Sequence, residues 1–450
     1  MATLKLAWYG DDFTGATDTL ATAARAGLRC LLFLGIPQAQ RLADCGPLDC
    51  LGIAGAARSM APAAMRDELR AVGQLFASLA PQVLHYKICS TFDSSPDIGN
   101  IATAIRALRP FVSNPLVAIV GGQPSLGRYC VFGHLFARAG SAGEIHRIDR
   151  HPTMRQHPVT PMRESDLRQH LALQGLHGIA TVDFRAYDAT PDALGQHIDT
   201  LLQPSPPAVL FDVSRASDLS VIGKVIWQRA CGQPLLAVGA SSVVQALAAH
   251  WQCPADDSIA EQPEPLAPAD GPVLTLAGSL SPLTAQQVRQ ATSFTHVDLD
   301  PLALLAEVSQ GNGRGDYGAR LASTVSALLR KGRSVMVNTS AASQPPTAGA
   351  TRMHDGIGGA ATLAKACASW LDRVLKASPV RRLGIAGGDT SSYAVQALDA
   401  WGLSYLQTLS PGVALCRLHS DAPHLDGMQV ALKGGQMGPP QFFELLRNGS

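Results

Sequence analysis

The chain has 450 residues, 46% of them hydrophobic and 16% charged, with a formal net charge of +1. That length exceeds one ordinary core and makes two domains the expectation. The near-zero charge, without a basic run or stripe, argues against nucleic acid as a partner.

No apolar run reaches the roughly 18 residues of a spanning helix. The start, MATLKLAWYG, has neither an h-region nor a small-residue cleavage site. Nine scattered cysteines without a CxxC pair fit reduced thiols better than a disulfide frame or a zinc site. A cytoplasmic protein without a membrane partner is the expectation.

In chain order, LAWYGDDFTGATDTLATAARAG (Leu6 to Gly27) reads as a short apolar strand, two adjacent acids, Thr-Gly and an Ala-rich helix. Further strands are expected in RCLLFLG, LDCLGIAG, QVLHYKI, PLVAIVG, GIATVDF, PAVLFDV and PLLAVGA. Several are continuous apolar runs, as in parallel strands buried on both faces. Helices are expected between them, as in APAAMRDELRAVGQLFASL and DIGNIATAIRALRPF. Composition then shifts. CPADDSIAEQPEPLAPADGP, Cys253 to Pro272, is rich in Pro, Ala and acids, lacks periodicity and reads as a linker. A second alternating series follows in VLTLAGS, THVDLD, SVMVNTS, RRLGIAGG, GVALCRL and MQVALKGG, with helices such as SPLTAQQVRQA and SSYAVQALDAW. The expected fold class is α/β. Two domains, 1–252 and 273–450, are each a mostly parallel sheet flanked by helices, with an interdomain cleft.

Ligands of open α/β sheets bind beyond the carboxyl ends of strands. In the first domain those positions hold Asp11, Asp12 and Thr14, then Arg58, then Lys87, Ser90 and Thr91, then Gln123 and Arg128. This mixture suits a small, anionic, polyhydroxylated ligand. Arg and Lys hold a carboxylate, and Asp accepts from hydroxyls. In the second domain the strand ends are AGSLSPLT, IAGGDTSS and LKGGQMG, made of small residues and hydroxyls. Glycine lets backbone N–H groups approach phosphate oxygens, and a helix beginning near Thr390 adds its dipole. No GxxxxGK[ST] occurs, so this is not a Walker A loop.

Each feature has a plainer reading. A Gly pair after a strand is often only a tight turn, paired acids are often a cap and its solvated neighbour, and single cations are often surface charges. GNGRGD, Gly311 to Asp316, follows EVSQ rather than a strand and reads as a loop. His151 and His157, in the Pro-broken RHPTMRQHPVTPM, read as part of a structured loop rather than a metal site.

Taken in order, GDDFTGATD, YKICSTFDSSPDIG, Gly127-Arg128, HPVTPM, GSLSPLT, GGDTS and KGGQMG resemble the four-carbon acid sugar kinase family over nearly the whole chain. The resemblance implies an N-terminal domain for a short sugar acid and a C-terminal domain for ATP, with phosphorylation of the 4-hydroxyl. It places Asp11, Asp12, Arg58, Lys87, Ser90 and Thr91 at the acid. Ser279, Ser281, Gly387, Gly388, Asp389, Thr390, Gly434 and Gly435 fall at ATP. Many members read KIDSTLRGNIG where this chain reads KICSTFDSSPDIG, with Cys89 in place of an Asp. STFD resembles the oxo-tetronate branch. A D-threonate-like acid is placed first, with 3-oxo-tetronate or erythronate close behind.

Asp11 and Asp12 are then the catalytic pair. One binds substrate hydroxyls and the other orients or deprotonates the attacking hydroxyl, with Asp12 placed first as base. ATP and Mg²⁺ are the implied cofactors, the metal bridging phosphates without an all-protein cage. A homodimer is the assembly to test. Other reaction classes remain, namely an NAD(P)-dependent sugar-acid dehydrogenase or a non-catalytic sensor. No GxGxxG lies between a strand and a helix to support the dehydrogenase.

Overall fold

The computed structural model describes residues 4–140, 143–157, 159–251, 265–279, 281–309, 316–339 and 357–449, without the side chains of 308, 309, 357–361 and 389. The GNGRGD segment therefore lies outside the described residues except for Asp316, as does 253–264 of the Pro-rich stretch. The chain divides into two compact units, Met1–Ile259 and Ala260–Ser450.

The first unit contains β1 (Leu6–Gly10), β2 (Cys30–Phe33), β3 (Cys50–Ala54), β4 (Val83–Lys87), β5 (Val117–Val120), β6 (Arg128–Val131), β7 (His134–Arg138), β8 (Ile145–Arg147), β9 (Ala180–Val182), β10 (Val209–Phe211) and β11 (Leu235–Gly239). Its main sheet runs β2-β3-β1-β4-β11-β5-β10-β9, and every pairing in it is parallel. Every residue of β1, β3, β4, β5, β10 and β11 is buried, which explains why these strands read as unbroken apolar runs. The chain leaves β1 toward β3 and β2, then returns past β1 to β4. The order therefore reverses at β1, where such sheets open a crevice.

The second unit contains β12 (Val273–Ala277), β13 (Thr295–Leu299), β14 (Val335–Thr339), β15 (Arg382–Ala386), β16 (Gly402–Ser410), β17 (Val413–His419) and β18 (Gln429–Lys433). The order β13-β14-β12-β15-β18 is parallel, and β17 and β16 extend it antiparallel. Here too the order reverses, between β12 and β15. Leu266 lies in this unit's core beside Val273, Phe294, Phe442 and Leu446. Ala267 O accepts from both terminal nitrogens of Arg382 at 3.2 Å. The end of the Pro-rich stretch is thus tied into the second unit.

Two features went unread in the sequence. Arg128–Val131, His134–Arg138 and Ile145–Arg147 form a separate antiparallel sheet, whose first turn is Phe132-Gly133 with φ of 52° and 81°. GLSYLQTLS is strand β16. Only Pro411-Gly412 separates it from β17, and two residues cannot carry the crossover that a parallel partner needs.

Candidate active site

Gly10 pairs with Ala54 on one side and Lys87 on the other. Three strands therefore end at one level, and the residues after them converge. Asp11 N donates to Lys87 O at 2.9 Å and Arg58 N to Asp11 O at 3.0 Å, so the backbone fixes the spacing.

Arg58 holds both acids. Its Nε and Nη2 donate to the two Asp11 oxygens at 3.1 and 2.6 Å, and its Nη1 donates to Asp12 Oδ2 at 2.7 Å. This is the bidentate geometry in which Arg surpasses Lys. Asp12 is also the N-cap of the helix Phe13–Arg25. Gly15 N donates to its Oδ1 and Thr14 Oγ1 to its Oδ2, both at 2.7 Å. A Cβ on Gly15 would lie 2.3 Å from Lys87 Nζ and 2.6 Å from Asp12 Oδ1, so only glycine lets the helix start pass so close to both groups. Lys87 is itself buried and donates to Ile88 O at 2.7 Å.

The two carboxylates have different environments. Burial raises the Asp11 carboxyl above its ordinary value, against the pull of Arg58. Burial also pushes on Asp12, but Arg58, Lys87, Thr14 and the Gly15 N–H together hold it below the ordinary range. Asp11 is thus the more basic of the two.

Ser90 is half-buried in the loop after β4. Thr91 Oγ1 meets Cys89 Sγ at 2.9 Å and donates to Asp93 Oδ1 at 2.6 Å. The loop is braced by residues that local sequence gave no reason to choose. Ser94 Oγ lies 2.8 Å from His170 Nε2 and accepts from Gln174 Nε2 at 2.7 Å, while Gln174 Oε1 accepts from Ile101 N at 2.7 Å. Burial lowers His170 to about 4, so this brace is uncharged at neutral pH. Arg128, the first residue of β6, donates from Nη1 to Leu126 O. Burial lowers its guanidinium, and Cys89 and Asp93 oppose that effect. Its Nε and the Oε1 of Gln123 are buried without a protein partner among the described residues. His151 Nδ1 accepts from the N–H groups of Thr153 and Met154 at 3.2 Å. His157 Nδ1 accepts from Thr160 N at 3.1 Å, so both histidines hold turns.

The second unit repeats the scheme with different chemistry. Ala386 pairs with Ala277 and with Lys433, so β12, β15 and β18 also end at one level. Gly278 N donates to Ala386 O at 3.0 Å and Gly387 N to Lys433 O at 2.8 Å. Gly387, with φ of 125°, is the N-cap of the helix Gly388–Ala397. That helix begins two residues earlier than the sequence suggested and carries Thr390, which is buried. Asp389 lies in its first turn, with its side chain outside the described residues. Ser279 Oγ accepts from Ser281 N at 3.2 Å, while Ser281 Oγ is buried without a partner among the described residues. The Gly435 Cα approaches Ser279 so closely that a Cβ there would lie 2.5 Å from its Oγ. Ser279, Ser281, Gly387, Thr390 and Gly435 thus surround one loop cluster, with Gly388 and Gly434 beside them.

Comparisons with known proteins match each unit separately. Residues 6–247 match the sugar-binding N-terminal domain and residues 274–443 the nucleotide-binding C-terminal domain. A 3-oxo-isoapionate kinase of Paraburkholderia graminis is 36% identical, covering 100% of this chain and 95% of its own. A 3-oxo-tetronate kinase of Methylobacterium radiotolerans is 31% identical, covering 98% of each. A solved protein of Salmonella typhimurium LT2 has the same fold, with a TM-score of 0.76 at 23% identity over 98% of both chains. The match runs through both units, with acids at one switch point and glycine loops at the other, and on that ground the chain belongs to the four-carbon acid sugar kinase family and is a phosphotransferase acting on sugar acids.

Proposed function

We propose that the protein transfers the γ-phosphoryl group of ATP to the terminal hydroxyl of a short 3-oxo sugar acid. The observation that carries this reading is the clamped pair Asp11–Asp12 at the switch point of the first unit. The names of the two relatives favour an oxo acid of the 3-oxo-tetronate or 3-oxo-isoapionate type over D-threonate, the sequence's first choice. Asp11, the more basic carboxylate, accepts the proton of the attacking hydroxyl, and Asp12 anchors the helix start and Lys87. This reverses the order in which Asp12 is placed first as base. The proton transfer needs no strong base, because phosphoryl transfer depends mainly on positioning and charge neutralisation.

The substrate's carboxylate needs a cation of its own. Arg58 and Lys87 already balance Asp11 and Asp12. We therefore assign the carboxylate to Arg128, beside Gln123 and the Cys89–Asp93 loop. Losing a charge-assisted bond costs about 1.5–3 kcal/mol, roughly ten- to a hundredfold in affinity. Arg128→Ala should raise KM for the acid by that factor and leave KM for ATP unchanged. Steady-state kinetics with each substrate varied in turn checks this, and equal effects on both would argue for a structural role.

ATP is assigned to the second unit, its phosphates at the glycine loops and the start of the helix Gly388–Ala397. Hydroxyl and amide donors fit phosphate oxygens. Among the described residues no group of three His, Cys, Asp or Glu gathers as a metal cage. Mg²⁺ carried by the nucleotide phosphates would neutralise the charge that develops on transfer. Gly387→Val puts a β-branched side chain at a φ of 125° and directs its Cβ to within 3.0 Å of Thr390 Oγ1. ADP affinity should fall about five- to a hundredfold, from roughly 1–3 kcal/mol of backbone strain, with acid binding intact; calorimetry reads both.

The reading as a whole is tested by ADP release with ATP·Mg²⁺ and a panel of 3-oxo-tetronate, 3-oxo-isoapionate, D-threonate and erythronate. Turnover with the oxo acids above the others is expected. Preference for D-threonate would overturn the oxo assignment, and no turnover with any acid would overturn the whole reading.

A further inference from the structure

Lys433 is the last residue of β18 and is completely buried. Its Nζ donates to Gly434 O at 2.9 Å, to Thr284 Oγ1 at 3.1 Å and, at the limit, to Gly435 O at 3.5 Å. Thr284 Oγ1 in turn donates to Gly435 O at 3.0 Å. Two successive carbonyls of the glycine loop are thus drawn inward toward one ammonium. A trans peptide points its N–H opposite to the preceding carbonyl. The N–H groups of Gly435 and Gln436 therefore point away from Lys433, toward the other side of the loop.

The charge is the unusual part. No carboxylate answers it among the described residues. The helix Pro282–Gln290 presents Thr284 and Gln287, and Gln287 is turned to the carbonyls of Met437, Gly438 and Pro439. The helix Phe442–Asn448 presents the Phe442 ring, 5.9 Å away. Its Glu444 accepts from Ser293 N and Asn448, and its Arg447 donates to Ser334 and Asn448. Across β15 the neighbours are Ala386 and Gly387, and of the helix Gly388–Ala397 packed on β18 the one ionisable residue near its start, Asp389, has its side chain outside the described residues. Burial, with no opposing charge among the described residues, brings the Lys433 ammonium down to about 7. A buried cation without a counter-ion is poorly stabilised unless an anion arrives.

We infer that Lys433 is the buried counter-charge of the nucleotide phosphates: it aligns the Gly434–Gly435 loop from behind and takes up a proton when nucleotide binds. The inference rests on the assignment of ATP to this unit. Lys433 acts through the loop and is a positioning residue, not a catalytic one. The sign follows from linkage. In the free protein the lysine loses its proton as pH rises through about 7. Phosphate charge raises its proton affinity again, so between the two values binding and protonation are coupled. Affinity for nucleotide should then fall with rising pH, by up to about tenfold per unit.

The test is calorimetry of MgADP binding to the full chain at pH 8, in buffers of different ionisation enthalpy. At that pH the phosphate's own second ionisation, near 6, is complete. Wild-type protein should take up most of one proton per ADP, and its Kd should rise several-fold from pH 7.5 to 8.5. Lys433→Met should bind more weakly at pH 7.5, take up no proton and show a flat pH profile. ADP binding by wild type without proton uptake would overturn the inference and leave the nucleotide site standing. Undiminished uptake by Lys433→Met would also overturn it. Failure of wild type to bind ADP at any pH would instead strike the nucleotide assignment itself. If Lys433→Met does not fold, the wild-type uptake and pH profile decide alone.

Discussion

Asp11→Asn should lower kcat by roughly 10²–10⁴-fold, the usual contribution of a positioned general base. KM for ATP should not move. The amide keeps the size of the carboxylate but removes its basicity. Its NH₂ also faces the Arg58 fork, which has only donors to offer, so one of the two bonds at 2.6 and 3.1 Å is lost as well. Asp12→Asn should behave differently. Asp12 receives three hydrogen bonds, from Gly15 N, Thr14 Oγ1 and Arg58 Nη1, and an amide can accept on one side only. That variant should lose more stability and less kcat. Single-turnover and steady-state rates on both variants decide the roles. A larger fall for Asp12→Asn returns the base to Asp12. Near-normal kcat in both makes GDDFTG a structural turn.

Arg58→Ala should destabilise the first unit by about 3–5 kcal/mol, the cost of leaving buried charges without their partner. The side chain is 21% exposed, whereas its Asp11 and Asp12 partners are 4% and 7% exposed. Removing it leaves two adjacent buried carboxylates with Lys87 alone to balance them. The loss should depend on pH. In the native protein Asp12 is held below its ordinary range, which stabilises the fold above that range and fades as pH falls through it. Without Arg58 both carboxyls shift upward, so their penalty is full at neutral pH and is relieved as acid protonates them. Urea unfolding at pH 8 and at pH 5.5 should therefore show a larger deficit at pH 8. A deficit under about 1 kcal/mol at both values would show that the clamp contributes no more than a surface ion pair. Arg58→Lys should rescue little, because an ammonium cannot span the fork.

Much of this fold is legible in the sequence. QVLHYKI becomes β4 and MQVALKGG becomes β18, because apolar runs bounded by Gly or polar residues mark strands buried on both faces. Convergence at strand ends was also legible, since a parallel sheet brings its carboxyl ends to one side. The partners chosen at those ends were not. Arg58 was read as a hand for the substrate, yet its guanidinium lies on Asp11 and Asp12. Whether a cation faces a ligand or a neighbour depends on register across β1 and β3, which one strand's pattern cannot carry. His170 and Gln174 lie more than seventy residues from Ser94, which they brace. Lys433 stood in plain view in KGGQMG, but its burial depends on helices packed from elsewhere. The GLSYLQTLS strand was missed because its side chains are half-buried and alternate weakly, although Pro411-Gly412 marked the turn.

The position of β11 bears on how the protein is made. It is the last strand of the first unit in the chain, yet it lies between β4 and β5 at the centre of the sheet. A nascent chain that has emerged only as far as β10 has neither edge of that gap closed. At about 5–20 residues per second, β4 waits on the order of ten seconds for its neighbour, with its backbone edge unpaired. The loop that carries Ser90 and Thr91 waits too, because Ile88 N donates to Gly239 O at 2.9 Å, the terminal residue of that late strand. Fragments that stop before residue 235 therefore lack the middle of the sheet as well as the anchor of the acid loop. Ribosome-bound intermediates of this length are the species that expose an unpaired central edge.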